Sequence, residues 1–199
     1  MTHDTTHDTT HDTTASNKLI DRFDGHPSVW LFGYGSLIFK ADFPYLQRRP
    51  ASIRGWMRRF WQGSSDHRGT LQAPGRVATI VEQAGAVCDG MAYLITPAVF
   101  FHLDHREKNG YLRLATSIAF DDGSSSEGLV YIAAHDNAAF LGEASEIDIA
   151  RHIARSTGPS GPNRDYLNDL AAALRALGKS DSHVFAIEQH LARIPQEQD

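Results

Sequence analysis

Residues 28–39 read SVWLFGYGSLIF. The apolar run from Val29 to Phe32 ends in a turn with glycines at 33 and 35. That pattern predicts a strand that delivers a loop. Two glycines two apart let the backbone turn sharply and bring its N–H groups close to a ligand. The turn from Phe32 to Leu37 is therefore a candidate cradle for a carboxylate or a developing oxyanion. A plain strand-end turn fits the same residues. A dinucleotide fingerprint does not, because its third glycine would fall on Ile38 and no βαβ unit follows.

Downstream, ASIRGWMRRFWQGS (51–64) is rich in β-formers and reads as one or two strands. In RVATIVEQAGAVCDGMAYLI (76–95), two apolar runs flank Gly85 and predict a hairpin. PAVFFHLDHRE (97–107) opens with a proline suited to a first helical turn, and YLRLATSIAF (111–120) and LVYIAA (129–134) read as strands. After residue 140 the period changes. In EASEIDIARHIARSTG, Ile147, Ala150, Ile153 and Ala154 recur at helical spacing, with Gly158 as the expected C-cap. NRDYLNDLAAALRALG is the clearest helix. Asn163 is placed to cap it, Tyr166, Leu167, Leu170, Leu174 and Leu177 share a face, and Gly178 stops it. A last helix follows Ser180 or Ser182 as cap. Strands first and helices later predict an α+β class.

Upstream lies THDTTHDTTHDTT (2–14), a repeat without an apolar residue. It cannot bury anything, so residues 1–16 are predicted to be a disordered tail and residues 17–199 the folded domain. His3, His7 and His11 are read as incidental, since threonine-rich sequence is a poor helix former.

The 199 residues suffice for one domain with a sizeable core. No apolar run approaches a membrane span and the N-terminus lacks signal-peptide character, so a cytoplasmic protein is expected. The single cysteine, Cys88, fits a reducing compartment and sits in a strand-like run as a structural thiol. The net charge of −5 argues against nucleic acid as main partner. Yet residues 48–76 hold seven arginines and only one acid, Asp66. A small anionic substrate accounts for that cluster as well as a polymer does, and most of these arginines are expected on a basic surface.

Four segments carry candidate chemistry: the glycine loop; FWQGSSDHRG (60–69), followed by Pro74–Arg76; LDHREKNGY (103–111); and GPSGPNRDYL (158–167). Glu107 lies at the predicted end of a short helix before an Asn109–Gly110 turn, where a carboxylate can face a pocket. Local chemistry alone fits a solvated residue equally. Tyr166 suits both a core aromatic and a hydrogen-bond donor at a helix start that attracts anions. Ser36, His67 and Asp66 supply the inventory of a catalytic triad, but GYGSL is no nucleophile elbow and His67 directly follows Asp66. His102, Asp104 and His105 read as surface polar residues rather than metal ligands.

Together and in this order, VWLFGYGSLIFKADFPY, RRFWQGSSDHRG, PGRVATIVE, LDHREKNGY and GPSGPNRDYL resemble the ChaC-like γ-glutamylcyclotransferases. The likeness runs from about Val29 to the last helix. It departs at His105, where many relatives have an aromatic residue. The resemblance implies a small, mixed, barrel-like sheet flanked by helices. It also implies cleavage of glutathione, a small-molecule substrate, to 5-oxoproline and cysteinylglycine, with neither metal nor organic cofactor. The family's catalytic glutamate falls on Glu107 and its glycine loop on Tyr34, Gly35, Ser36 and Leu37. Arg68, Arg76 and Tyr166 are further candidates for the substrate's carboxylates. Related folds that act on other γ-glutamyl amino acids or amines, and a non-catalytic module that binds γ-glutamyl groups or 5-oxoproline, are the alternatives.

Overall fold

The structure, a computed structural model, describes residues 13–19, 25–107, 110–133 and 137–195. Five strands close into a barrel: β1 (Val29–Gly33), β2 (Gln47–Ser64), β3 (Gly75–Ile95), β4 (Tyr111–Phe120) and β5 (Ser125–Ala133). Around it they run β1-β3-β2-β4-β5, and β5 returns to β1 in parallel through Leu31↔Leu129. The other neighbours are antiparallel, so the sheet is mixed and closed, as the α+β reading expects. The helices are α1 (Thr14–Leu19), α2 (Val99–Arg106), α3 (Glu146–Arg155), α4 (Asn163–Ala176) and α5 (Ser182–Leu191). A 3-10 turn covers Ser36–Ile38, and a short ribbon joins β6 (Thr157–Gly158) to β7 (Gly161–Pro162). None of the described helices is long and apolar enough to cross a membrane.

The hairpin expected around Gly85 is instead one strand of 21 residues, β3, which pairs along β2 from Gln47↔Leu94 to Ser64↔Gly75. The turn signal is genuine, since Gly85 has φ +79°. Opposite it, Gly55 has φ +82°, and the register jumps from Arg54↔Val87 to Trp56↔Glu82. The two left-handed glycines bend the ribbon rather than reverse it. Before the bend β2 pairs with β4 at Ala51–Ile53; beyond it the two strands form an arm. Every second residue of that arm, Arg58, Phe60, Gln62 and Ser64, is buried, which is the period of a pleated strand with one covered face. Helices α3, α4 and α5 pack against this β2–β3 arm.

Helix α4 buries Tyr166, Leu167, Leu170, Ala171 and Leu174 along the stripe read from its sequence. It ends as expected at Gly178 (φ +68°), with Lys179 N–H donating to Leu174 O at 2.9 Å. Its start differs. Pro162 is the N-cap, and Asn163 is the first helical residue. The Asn163 side chain grips β3 instead, accepting from Arg76 N–H at 2.7 Å and donating to Arg76 O at 2.9 Å. In α5 the cap is Asp181, neither Ser180 nor Ser182; its carboxylate accepts from Val184 N–H at 3.1 Å. In α3 the buried stripe is Ile149, Ala150 and Ile153, while Ile147 is exposed. That helix ends at Arg155, because Gly158 belongs to the ribbon.

Folded structure also begins earlier than expected. Helix α1 starts at Thr14, and Thr13 and Asn17 are buried. Thr13 Oγ1 and Asn17 Nδ2 donate to Tyr111 O at 2.8 and 3.0 Å, and Asn17 Oδ1 accepts from Arg113 N–H at 2.9 Å. Hydrogen bonds to β4 tie this segment to the barrel. His3, His7, His11 and Asn109 lie outside the described residues. Cys88 is a buried free thiol, and burial pushes it up to about 11, far from a reactive thiolate. Two of the arginines expected on a basic surface are instead interior: Arg58 and Arg76 are buried and bound to main-chain carbonyls.

Candidate active site

A cavity of about 380 Å³ opens where β1 hands over to the glycine loop. Its walls come from that loop, the C-terminal end of α2, the loop leaving β2, strand β3 at Val77 and Ala78, and Tyr166 of α4. The volume lies within the range of small-molecule sites, about 300–1,000 Å³.

Glu107 forms the C-cap of α2, with its N–H donating to Leu103 O at 2.8 Å, and its side chain lines the cavity. Burial pushes its carboxyl above the ordinary carboxylate range. Arg106 opposes that rise, and Asp66 and Asp42 add to it. The helix that carries it is fixed from within. Asp104, one turn earlier, accepts from Tyr131 Oη at 2.6 Å and pairs with Arg113 Nε at 3.1 Å, all three side chains being buried. Asp104 is thus an interior anchor, neither a metal ligand beside His102 and His105 nor a surface residue. Among the described residues no three His, Cys, Asp or Glu side chains converge as metal ligands.

Tyr34, Gly35, Ser36 and Leu37 all line the same cavity as Glu107. The Tyr34 carbonyl is turned away from it, accepting from Arg58 Nε at 2.7 Å, and Arg58 is itself held by Asp181 at 2.5 Å and by Asp89 O. Holding that carbonyl fixes the peptide that follows, and the first N–H groups of the turn at Ser36 have no partner inside it. Gly35 is required by a close approach: a Cβ there would lie 2.9 Å from Tyr166 Oη.

Tyr166 is a core aromatic that also reaches the cavity. Its ring packs edge-on against Phe39 and Phe60, while its hydroxyl faces the cavity and accepts from Ala78 N–H at 3.3 Å. Burial raises that hydroxyl to about 12, and it raises Tyr34 and Tyr111 well above the usual phenol value. All three stay protonated donors. Arg68 lines the wall, with Nη1 donating to Pro162 O at 3.0 Å and its guanidinium 5.9 Å from the Tyr166 ring centre.

Arg76 does not line the cavity. It donates to Phe60 O at 2.9 Å and Gly142 O at 3.0 Å, tying the β2–β3 arm to the chain before α3, so its task is structural. Nor do Ser36, His67 and Asp66 form a relay. Ser36 Oγ accepts from Arg106 Nη2 at 3.1 Å, His67 Nδ1 contacts Ser160 Oγ at 3.0 Å, and His67 Nε2 stands 4.0 Å from Asp66.

Sequence reasoning passed over Asp42, Gln62, Arg106, Tyr111 and Tyr131, which also line the cavity. Arg106 and Tyr111 were within reach, since they flank Glu107 in a segment already singled out. Gln62 is a polar residue at an inward strand position, and its Oε1 is buried without a hydrogen-bond partner among the described residues. Tyr131 gives no signal, because an aromatic in a strand looks like core.

Residues 29–194 match the model of the family described as ChaC-like protein. Gamma-glutamylcyclotransferase 2-3 of Arabidopsis thaliana is 42% identical over 185 residues, covering 86% of this chain and 92% of that protein. Glutathione-specific gamma-glutamylcyclotransferase 1 of Danio rerio is 40% identical over 178 residues, covering 84% and 90%. A crystal structure of a yeast cyclotransferase specific to glutathione superposes with a TM-score of 0.78 at 31% identity, over 84% of this chain and 97% of that one. Fold, cavity and sequence agree, and the chain belongs to the ChaC-like family.

Proposed function

We propose that this protein cleaves glutathione to 5-oxoproline and cysteinylglycine, with Glu107 as the general acid/base. In a γ-glutamyl peptide the α-amine and the γ-carbonyl belong to one glutamyl unit, so attack of one on the other closes a five-membered ring. No enzyme nucleophile is needed, which suits a site whose glycine-loop serine, Ser36, is bonded to Arg106 and whose lining holds no cysteine among the described residues. Holding the glutamyl unit folded contributes up to about 7–11 kcal/mol through orientation. Glu107 takes a proton from the α-ammonium, and the free amine attacks the carbonyl carbon. The collapsing intermediate breaks its C–N bond; the departing nitrogen receives that proton from Glu107, and the ring nitrogen sheds its surplus proton to the same amine, so both protons lost by the α-ammonium leave on cysteinylglycine. Such acid/base assistance contributes roughly 10²–10⁴-fold.

The observation that carries this reading is a single elevated carboxyl sharing one small cavity with the glycine loop. A carboxyl raised by burial is a stronger base once ionised, and closer in affinity to the groups with which it exchanges protons. The amides of Gly35, Ser36 and Leu37, with the hydroxyls of Tyr34, Tyr111 and Tyr166, are the proposed donors to the γ-glutamyl carboxylate and the oxyanion. Removing one oxyanion donor costs about 2.7–4 kcal/mol. Arg68 is the proposed partner of a substrate carboxylate, and the orphaned Gln62 oxygen is a waiting acceptor for a substrate N–H. We place the reaction in the cytoplasm, where glutathione is abundant and the lone thiol stays reduced.

The test is incubation with glutathione, γ-glutamyl-alanine and γ-glutamyl-lysine, with release of 5-oxoproline as readout. Turnover of glutathione above the other two is expected, and Glu107→Gln should abolish it while leaving the unfolding midpoint unchanged. Near-normal turnover by that variant would refute the assignment. Binding of 5-oxoproline without turnover of any of the three would favour a non-catalytic module.

A further inference from the structure

The cavity wall contains an arginine that the proposed chemistry does not use. Arg106 directly precedes Glu107, and its three guanidinium nitrogens go to three partners. Nε lies 3.3 Å from Glu107 Oε1, Nη1 2.5 Å from Asp42 Oδ1, and Nη2 3.1 Å from Ser36 Oγ. One planar fork thus joins the acid/base carboxyl, the glycine loop and the segment that follows it. A lysine ammonium cannot reproduce this fixed geometry.

We propose that Arg106 is a positioning residue for the reaction, and that Asp42 determines how much of its charge reaches Glu107. This rests on Glu107 being the acid/base group. An arginine beside a catalytic carboxylate poses a chemical problem, because a full positive charge at contact distance would hold the carboxyl ionised and weaken it as a base. Asp42 shares that charge. It takes the shortest of the three contacts, and its side chain is 43% exposed. The guanidinium can then orient Glu107 and Ser36 without lowering the carboxyl into the ordinary range.

The other groups that share the cavity with Glu107 do not duplicate this role. From the loop after β2 come Asp66, His67 and Arg68; from the glycine loop and the turn after it, Tyr34 and Lys40; from β4, β5 and α4, Tyr111, Tyr131 and Tyr166; and from α2 itself, His102. Asp66 acts on the carboxyl in the same sense as Asp42. Among the described residues Arg106 pairs with Asp42 and not with Asp66, so of these two acids Asp42 moderates the arginine directly. Asp42 and Ser36 both lie outside the helix of Glu107, so the clamp also fixes the distance between the acid and the oxyanion cradle.

The experiment is the pH profile of kcat/KM for glutathione in three variants, with Glu107→Gln as control. Asp42→Asn leaves Arg106 with its charge uncompensated, so the acidic limb should move to lower pH by on the order of one unit, and kcat at the optimum should fall roughly 5- to 10-fold. Arg106→Met removes the charge, so the same limb should move to higher pH. Arg106→Lys keeps the charge and loses the fork, so the limb should stay near its original position while kcat falls at least about 10-fold. A merely structural salt bridge would give Asp42→Asn and Arg106→Met the same phenotype. Displacement of both limbs in one direction, or of neither, would overturn the inference. If Arg106→Met fails to fold, the exposed Asp42→Asn still decides, since an unmoved limb in that variant refutes the charge-sharing role by itself. An active Glu107→Gln would instead bring down the underlying reading of the site, a separable result.

Discussion

The tight packing between Gly35 and Tyr166 lends itself to a quantitative test. In Gly35→Ala the new Cβ would stand 2.9 Å from Tyr166 Oη, nearer than a methyl group and a hydroxyl tolerate, and 3.8 Å from Ala78 Cβ. The hydroxyl must give way by about half an ångström. Its bond from Ala78 N–H is already long at 3.3 Å, so a retreat breaks it, and the Tyr166 ring is confined by Phe39 and Phe60. Overpacking of a dense interior costs about 1–3 kcal/mol and the lost hydrogen bond about 1 kcal/mol more. At this chain length that corresponds to a fall in Tm of roughly 4–16 °C. Displacing the cradle should also lower kcat/KM about 10²-fold. The decisive measurement is a double-mutant cycle by urea denaturation. Tyr166→Phe removes the oxygen that the methyl strikes, so Gly35→Ala should cost at least about 1 kcal/mol less in that background. Strict additivity would mean that the clash is not what makes glycine necessary at position 35.

Two further outcomes follow from other buried groups. Arg58→Met strands the Asp181 carboxylate and frees the Tyr34 carbonyl; the ion pair is nearly buried, so a loss of about 3–5 kcal/mol is expected in the urea midpoint, with kcat falling as the glycine loop loosens. Unchanged stability would show that this guanidinium does not hold the loop. His183 accepts from Phe60 N–H at 3.1 Å and contacts Glu146 Oε1 at 3.1 Å, and burial lowers its pKa below the usual imidazole value. The unfolded chain therefore takes up a proton near pH 6.5 while the folded one resists, so stability should decline as the pH falls below about 6.5. Comparing urea midpoints at pH 7.5 and 5.5 avoids the titration of Glu146, whose pKa is lowered; the decline should be smaller in His183→Gln, and an equal decline would assign it to other groups.

Periodicity was a good guide wherever burial alone governs. The stripe of α4 from Tyr166 to Leu174 and the stop at Gly178 stood out because apolar side chains and a left-handed glycine leave a local mark. The glycine loop leaves such a mark too, whereas Glu107 does not, and only the resemblance of its segment to the family singles it out. What escaped notice depends on partners distant along the chain. Gly85 bends a ribbon rather than closing a hairpin because Gly55 lies opposite, thirty residues earlier. Arg58 and Arg76 resemble surface charges until main-chain carbonyls from other segments surround them. Asn163 looks like a helix cap, but it is used to hold β3. The Arg106–Asp42 pair spans sixty-four residues, and only the fold brings its members together.

The short helix at the start of the chain bears on how the protein can be shortened. Its Thr13 and Asn17 satisfy the carbonyl of Tyr111, whose ring lines the cavity, and the amide of Arg113, whose guanidinium steadies the helix bearing Glu107. A chain trimmed to the matched family span, beginning at residue 29, would discard that brace while keeping every residue that touches the pocket. Such a fragment would look complete by alignment, yet it would lack the clasp behind the cavity wall that carries Glu107.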